Sequence, residues 1–199
     1  MWDEEDGFYY DLLRMPDGSA QRLKVRSLVG LLPICAVTVI EEWQRESVPK
    51  IMEHINERLR RMPELLSTIH PTGKDHFGMA NRGILALVNP DRLRRILSRM
   101  LDENESLSPH GIRPISKYHQ DHPYVLNVEG KEFRVDYLPA ESDTGMFGGN
   151  SNWRGPVWMP MNVIIIRALL NYYFYYGDNF KIECPTGSGK MMNLYEVSK

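Results

Sequence analysis

The spacing of apolar residues predicts two helices that each have one buried face. Apolar residues recur at steps of three and four from residue 41 to 61, and again from residue 90 to 103. This spacing places them on one side of a helix, with charged residues on the other side. Asn89 and Pro90 suit the start of the second helix, because asparagine caps a free N–H and proline fits the first helical position.

Two further segments are apolar on nearly every side, which predicts helices buried by their neighbours. The first covers residues 27–40. Pro33 lies inside it, so we expect a kink or a division into two helices there. The second starts no earlier than about Val157, because prolines stand at positions 156 and 160, and it ends at Gly177. Fully apolar helices that alternate with amphipathic ones indicate an inner and an outer layer.

Short stretches with strand character predict β-hairpins between the helices. Residues 7–11 and 22–25 alternate between apolar and polar, and a Pro-Asp-Gly turn at 16–18 separates them. Residues 124–128 and 132–137 are rich in β-branched and aromatic side chains, and a Glu-Gly pair lies between them. We therefore predict a mainly α fold with small β-hairpin insertions.

Composition and charge narrow the class of protein. The chain has 199 residues, of which 42% are hydrophobic and 25% charged, as in a soluble globular domain with a core. A net charge of −2 attracts neither nucleic acid nor an anionic membrane, so we expect neither as a partner. No apolar run approaches the roughly 20 residues of a membrane span, and the acidic start does not have the pattern of a signal peptide. Cys35 and Cys184 do not make a disulfide framework, so we expect reduced thiols and a cytoplasmic location.

The stretch richest in chemistry follows the second predicted hairpin. An acidic, glycine-rich loop with Glu141 and Asp143 leads into a Trp-Arg-Gly-Pro-x-Trp turn from Trp153 to Trp158, and then into the apolar helix. Carboxylates accept hydrogen bonds from hydroxyl groups, and indole faces pack on C–H groups, so this combination predicts a sugar site. Arg154 within the turn is a further candidate for substrate binding.

Each of these residues also has a structural interpretation. Considered on their own, Glu141 and Asp143 are candidates for a catalytic acid and base. The alternative is that they cap the helix that follows or pair with Arg154, and for Asp143 we favour such a supporting role. The two tryptophans can be part of the core, because large aromatic side chains are often buried for packing. Asn162, one helical turn after Trp158, either reaches the same pocket or bonds the backbone.

Other motifs resemble functional sites but match them poorly. The acidic residues Asp3 to Asp6 lack the alternating spacing of a calcium loop. Residues 185–190, Pro-Thr-Gly-Ser-Gly-Lys, lack the first glycine and the final hydroxyl of a phosphate-binding loop. Four histidines are candidates for a metal-dependent enzyme but lack the spacing of zinc ligands, so we expect no metal and no cofactor: His70, His76, His119 and His122.

Several motifs together resemble one enzyme family. Residues 141–158, ESDTGMFGGNSNWRGPVW, are similar to the signature of glycoside hydrolase family 63, which includes processing α-glucosidase I and bacterial relatives that act on α-glucosides and mannosylglycerate. Residues 2–11, WDEEDGFYYD, residues 24–33, KVRSLVGLLP, and residues 180–194, FKIECPTGSGKMMNL, resemble the bacterial branch. These motifs occur in the expected order and cover the whole chain.

The resemblance implies a fold and a division of roles. It implies that residues 1–199 are a single partial domain, the central portion of an (α/α)6 toroid, in an inverting enzyme that hydrolyses α-linked glucosides or related oligosaccharides. Inversion uses two carboxyl groups, one as acid and one as base. The resemblance places both outside this chain, so no catalytic residue is expected here and the isolated chain is expected to be inactive.

The same resemblance assigns the tryptophans to the substrate pocket. Trp153 and Trp158 match tryptophans that line the family's sugar site, and Arg154 belongs to the same pocket wall. Asp143 and Asn162, which lie close to this turn in the sequence, are further candidates for substrate binding. The expected partners are an α-linked oligosaccharide or small glycoside and the remaining parts of the same catalytic domain. The alternative is a carbohydrate-binding or scaffold protein with the same helical ring and no chemistry.

Overall fold

The computed structural model describes residues 1–63, 67–71, 76–149 and 151–199, without the side chains of residues 51, 52, 56 and 147. The prediction of a mainly α fold within an (α/α)6 toroid is wrong. The fold is mixed α/β, with 37% helix, 24% strand and six small sheets in the described part. The reason is that much of the chain outside the long helices forms two-stranded antiparallel pairs, which satisfy the backbone hydrogen bonds of short segments.

Every described sheet is an antiparallel pair of strands. The pairs are β1 (Trp2–Asp3) with β2 (Phe8–Tyr9), β3 (Asp11–Arg14) with β4 (Ala20–Leu23), β5 (Val37–Ile40) with β6 (Gly83–Ala86), β7 (Leu107–Ser108) with β8 (Gly111–Ile112), β9 (Tyr124–Val128) with β10 (Lys131–Val135), and β11 (Lys181–Glu183) with β12 (Met191–Asn193). The α-helices are α1 (Glu42–Ser47), α2 (Pro49–Arg61), α3 (Pro90–Met100), α4 (Met159–Tyr176) and α5 (Leu194–Val197). Short 3₁₀ helices cover Leu28–Cys35, Met79–Asn81, Lys117–Gln120, Met146–Gly148 and Gly177–Asn179.

The first apolar segment differs most from its prediction. Its beginning, Leu28–Cys35, is a 3₁₀ helix that contains Pro33, and its end forms strand β5. The sequence of β5, Val-Thr-Val-Ile, is β-branched throughout and suits a strand. Val37 pairs with Ala86 of β6, so the partner that decides between helix and strand lies far along the chain.

Elements with strong local signals are confirmed. Helix α3 starts at Pro90, and the Asn89 side chain accepts a hydrogen bond from the Arg92 backbone N–H. The hairpin of β9 and β10 has the predicted turn between its strands. Helix α4 ends at Gly177, whose φ of 58° is a conformation that glycine adopts without strain.

The main core lies between the 3₁₀ helix Leu28–Cys35, α3 and the buried face of α4. Its fully buried side chains include Leu28, Leu31, Ile34, Leu93, Ile96, Leu97, Ile165 and Tyr172. Gly30 is needed here because a Cβ at this position would collide with the Phe8 ring and the Tyr9 carbonyl. A second, smaller cluster of Val25, Ile115 and Val135 supports the β9–β10 hairpin. None of the described helices is both long and apolar enough to cross a membrane.

Candidate functional site

The two tryptophans of the Trp-Arg-Gly-Pro-x-Trp turn form one aromatic unit. Their ring centroids are 4.6 Å apart and their planes meet at 77°, an edge-to-face arrangement. Trp158 is half-buried against the main core and is the N-cap residue of α4, whereas the Trp153 side chain is 37% exposed. A well-packed indole therefore holds a second indole at the surface.

The buried side chain of Arg154 anchors the acidic loop to this turn through hydrogen bonds. It is 2% exposed, and its Nη1 donates to Thr144 Oγ1 at 2.6 Å, to the Thr144 carbonyl at 3.2 Å and to the Met146 carbonyl at 3.0 Å. Burial lowers the pKa of Arg154, and the nearby Asp143 carboxylate opposes this effect. Since the guanidinium is covered by protein, Arg154 positions the loop and does not present itself to a ligand.

Asp143 lies next to the Nη2 atom of that guanidinium. Its Oδ1 is 3.8 Å from Arg154 Nη2, and its side chain is 57% exposed. Arg154 Nε and Nη2 have no hydrogen-bond partner among the described residues. The Glu141 side chain is exposed, and the backbone of Glu141 forms an isolated antiparallel β-bridge with that of Leu138. The arrangement favours the interpretation of Asp143 as a partner of Arg154, one of the three roles that the sequence left open.

Asn162 is turned toward the backbone. Its Oδ1 accepts a hydrogen bond of 2.7 Å from the Ile112 N–H, and its Nδ2 donates to the Trp158 carbonyl at 3.0 Å. The side chain is 6% exposed. Asn162 therefore ties the end of β8 to the first turn of α4 and sets the distance between the β7–β8 hairpin and the tryptophan turn.

A cleft of about 220 Å³ lies between these two tied elements. Gly155 and Val157 of the tryptophan turn form one side, and Arg113, Tyr137 and His110 are among the residues of the other side. The Arg113 guanidinium donates to the Tyr137 hydroxyl at 3.2 Å and to backbone carbonyls of residues 103, 105 and 107. The cleft thus has hydroxyl, imidazole and guanidinium groups beside an apolar rim.

Sequence reasoning did not identify Arg113 and Tyr137 as site residues. The only local signal was the Gly-Ile-Arg-Pro loop at 111–114, which reads as a connection and not as a site. Arg113 and Tyr137 are 24 residues apart in the sequence, and the fold brings them within hydrogen-bond distance of each other.

Three of the four histidines considered as metal ligands, His70, His119 and His122, form hydrogen bonds outside the cleft. His70 contacts the Pro71 carbonyl through Nδ1 and the Tyr176 hydroxyl through Nε2, at 2.7 and 2.6 Å. His119 Nε2 accepts from the Arg26 backbone N–H, and its Nδ1 contacts the carbonyl of His122. In the part of the chain that the structure describes, no group of His, Cys, Asp or Glu side chains is arranged to hold a metal.

The acidic residues 3–6 and the turn at residues 185–190 form hydrogen bonds and ion pairs within the protein. Asp3 accepts hydrogen bonds from the backbone N–H groups of residues 5 and 6 and forms an ion pair of 3.2 Å with Lys24. In the turn between β11 and β12, the Glu183 carboxylate accepts hydrogen bonds from the N–H groups of Gly187 and Gly189. These bonds lower the pKa of Glu183, so its carboxylate occupies the N–H groups that a phosphate would need.

Comparison with known proteins shows similarity to a longer yeast protein. No protein-family model matches the chain. The chain is 46% identical over all 199 residues to a Saccharomyces cerevisiae protein named "Uncharacterized protein YMR196W". It spans 18% of the length of that relative. The similarity therefore concerns one segment of a much longer polypeptide.

Proposed function

We propose that this chain supplies one wall of the sugar-binding cleft of an inverting α-glycosidase, similar to glycoside hydrolase family 63, that acts on α-linked glucosides or related oligosaccharides. The observation that carries the proposal is the Trp153–Trp158 pair, which belongs to the same turn as the cleft-lining residues Gly155 and Val157. A partly exposed indole on a half-buried support is a rigid apolar surface for the C–H groups of a sugar ring. Polar groups that converge beside such a surface are typical of small-molecule sites.

The remaining polypeptide would supply the chemistry. Inversion needs an acid and a base about 6.5–9.5 Å apart, with a water molecule between base and substrate. The family resemblance puts both carboxyl groups outside this chain, and the 18% share of the yeast relative leaves ample polypeptide to carry them. Glu141 and Asp143 then support the wall, and no cofactor takes part. The half-exposed free thiols of Cys35 and Cys184 support a reducing compartment, for which we propose the cytoplasm.

The test is hydrolysis of α-linked gluco-oligosaccharides by the full-length yeast relative, with the product anomer followed by NMR from the first turnovers. The proposal predicts a β-anomer from an α-glycoside. Formation of the α-anomer, or no hydrolysis of a panel of α-linked glucose and mannose compounds, would contradict it. The 199-residue chain alone should be inactive on an aryl α-glucoside, and activity that disappears in Asp143→Asn would show that the chain carries its own catalytic carboxylate.

A binding domain without chemistry is the second candidate. The Trp153–Trp158 pair alone is enough for this candidate, because indole faces pack on a sugar ring without a catalytic carboxylate. The exposed Asp143 carboxylate beside Arg154 fits both candidates. Saturable oligosaccharide binding by the full-length relative, without turnover, would select this candidate.

A further inference from the structure

Helix α4 presents an apolar stripe to solvent along its entire length. We define the α4 stripe as Met159, Val163, Ile166, Leu170 and Phe174, which recur at steps of four, three, four and four. Leu170 is half-buried, and the other four are between 39% and 58% exposed. Such spacing places all five side chains on one face of the helix.

The opposite face of α4 is already occupied. Ile165, Leu169 and Tyr172 are buried in the main core. A helix with one face in a core normally carries polar residues on the other face. Here the only charged residue of α4 is Arg167, which lies at the edge of the α4 stripe near its midpoint. A continuous apolar surface of this extent is typical of an interface.

We infer that an apolar face of the remaining polypeptide packs on the α4 stripe in the full-length protein. The argument for this occupant is the length of the relative: the matched segment makes up 18% of it, so most of that polypeptide is available to cover the stripe. The stripe begins at Met159, directly after Trp158, so the covering segment borders the candidate site.

The position of Arg167 argues against a second copy of this chain as the occupant. Two copies related by a twofold axis would contact each other through the same surface. With Arg167 near the middle of the stripe, an antiparallel contact of this kind would bring two guanidinium groups together in an apolar interface, which is unfavourable. The covering face should instead carry a carboxylate or a carbonyl group opposite Arg167.

Thiol accessibility tests this inference. Val163→Cys is made in the 199-residue chain, and cysteine is placed at the aligned position of the full-length yeast relative. The rate of maleimide labelling is measured by mass spectrometry for each. Val125→Cys, at an exposed apolar position of strand β9, is the matched control in both proteins, and the unsubstituted proteins give the background from native cysteines.

We expect at least a hundredfold slower labelling at position 163 in the full-length protein than in the 199-residue chain, relative to the control, at every protein concentration. Equal labelling in both proteins would overturn the inference. Protection that appears in both proteins and disappears on dilution would overturn it as well, because it would identify a second copy as the occupant. The Val163→Lys variant of the full-length protein gives an independent readout: it should lose thermal stability, whereas Val125→Lys should not.

Discussion

Replacing Asn162 with alanine should destabilise the protein strongly for so small a change. The Asn162 side chain links the start of α4, through the Trp158 carbonyl, to the N–H of Ile112, which lies 50 residues before Asn162. Ile112 is itself buried, so its N–H would have no water to replace the lost acceptor. The Trp158 carbonyl keeps the hydrogen bond from the Asn162 backbone N–H and loses less.

The magnitude follows from these contacts. An unsatisfied buried donor costs about 1–3 kcal/mol, and loss of the second hydrogen bond adds roughly 0.5–1.5 kcal/mol. We therefore expect Asn162→Ala to lower the free energy of unfolding by about 2–4 kcal/mol. Asn162→Asp keeps the acceptor for Ile112 but faces the Trp158 carbonyl with a second oxygen. It should be most stable when that carboxyl group is protonated, so its stability should fall as the pH rises above about 4.

The assay is urea unfolding followed by circular dichroism, with Asn127→Ala on the exposed face of β9 as the control. The control should change the free energy of unfolding by less than about 0.5 kcal/mol. If Asn162→Ala is equally mild, or if Asn162→Asp is most stable at neutral pH, the tie between β8 and α4 does not hold the cleft together as described.

Three further predictions concern the loop, the core and the pH dependence. Arg154→Met removes the donors that hold residues 144 and 146, so limited proteolysis within residues 141–149 should become at least about tenfold faster; an unchanged cleavage rate would refute this anchoring. Gly30→Ala should destabilise the chain by about 1–3 kcal/mol in thermal unfolding. The control Gly145→Ala, where the added Cβ has no neighbour within 4 Å, should change the stability by less than about 1 kcal/mol. Similar losses of stability in both variants would contradict the close approach of Phe8 and Tyr9 to Gly30. Burial lowers the pKa of His119, so the unfolded chain binds a proton more readily, and stability should fall as the pH drops below about 6.5. His119→Gln should flatten this dependence in urea titrations between pH 5 and 8, and an unchanged dependence would contradict the role of His119.

Local chemistry explains which elements were predictable. Asn89 and Pro90 define the start of α3 without any distant partner, and Gly177 ends α4 in the same way. Strand β5 was missed although its β-branched residues favour a strand, because the apolar run of residues 27–40 as a whole also fits a buried helix. The pairing of Val37 with Ala86 decides the matter, and the sequence gives no local sign of it.

In the candidate site, the exposure and contacts of the side chains could not be predicted from the sequence either. Trp153 and Trp158 are the same residue type five positions apart, but only the structure distinguishes the exposed ring from the supporting one. Arg113 and Tyr137 join the site through contacts between distant segments. The expectation that α4 is an inner helix depended on neighbours, and within the described residues one of its faces is open.

The most direct test of the sugar-binding cleft is a fluorescence titration of the 199-residue chain with α-linked glucose and mannose disaccharides. We predict a saturable change in tryptophan emission that weakens at least about tenfold in Trp153→Ala, equivalent to ~1.4 kcal/mol. Trp43→Ala, which removes a 65% exposed indole on α1, should leave the affinity unchanged. No saturable signal in the unsubstituted chain, or equal affinity in Trp153→Ala, would contradict the assignment of this turn as the wall of a sugar site.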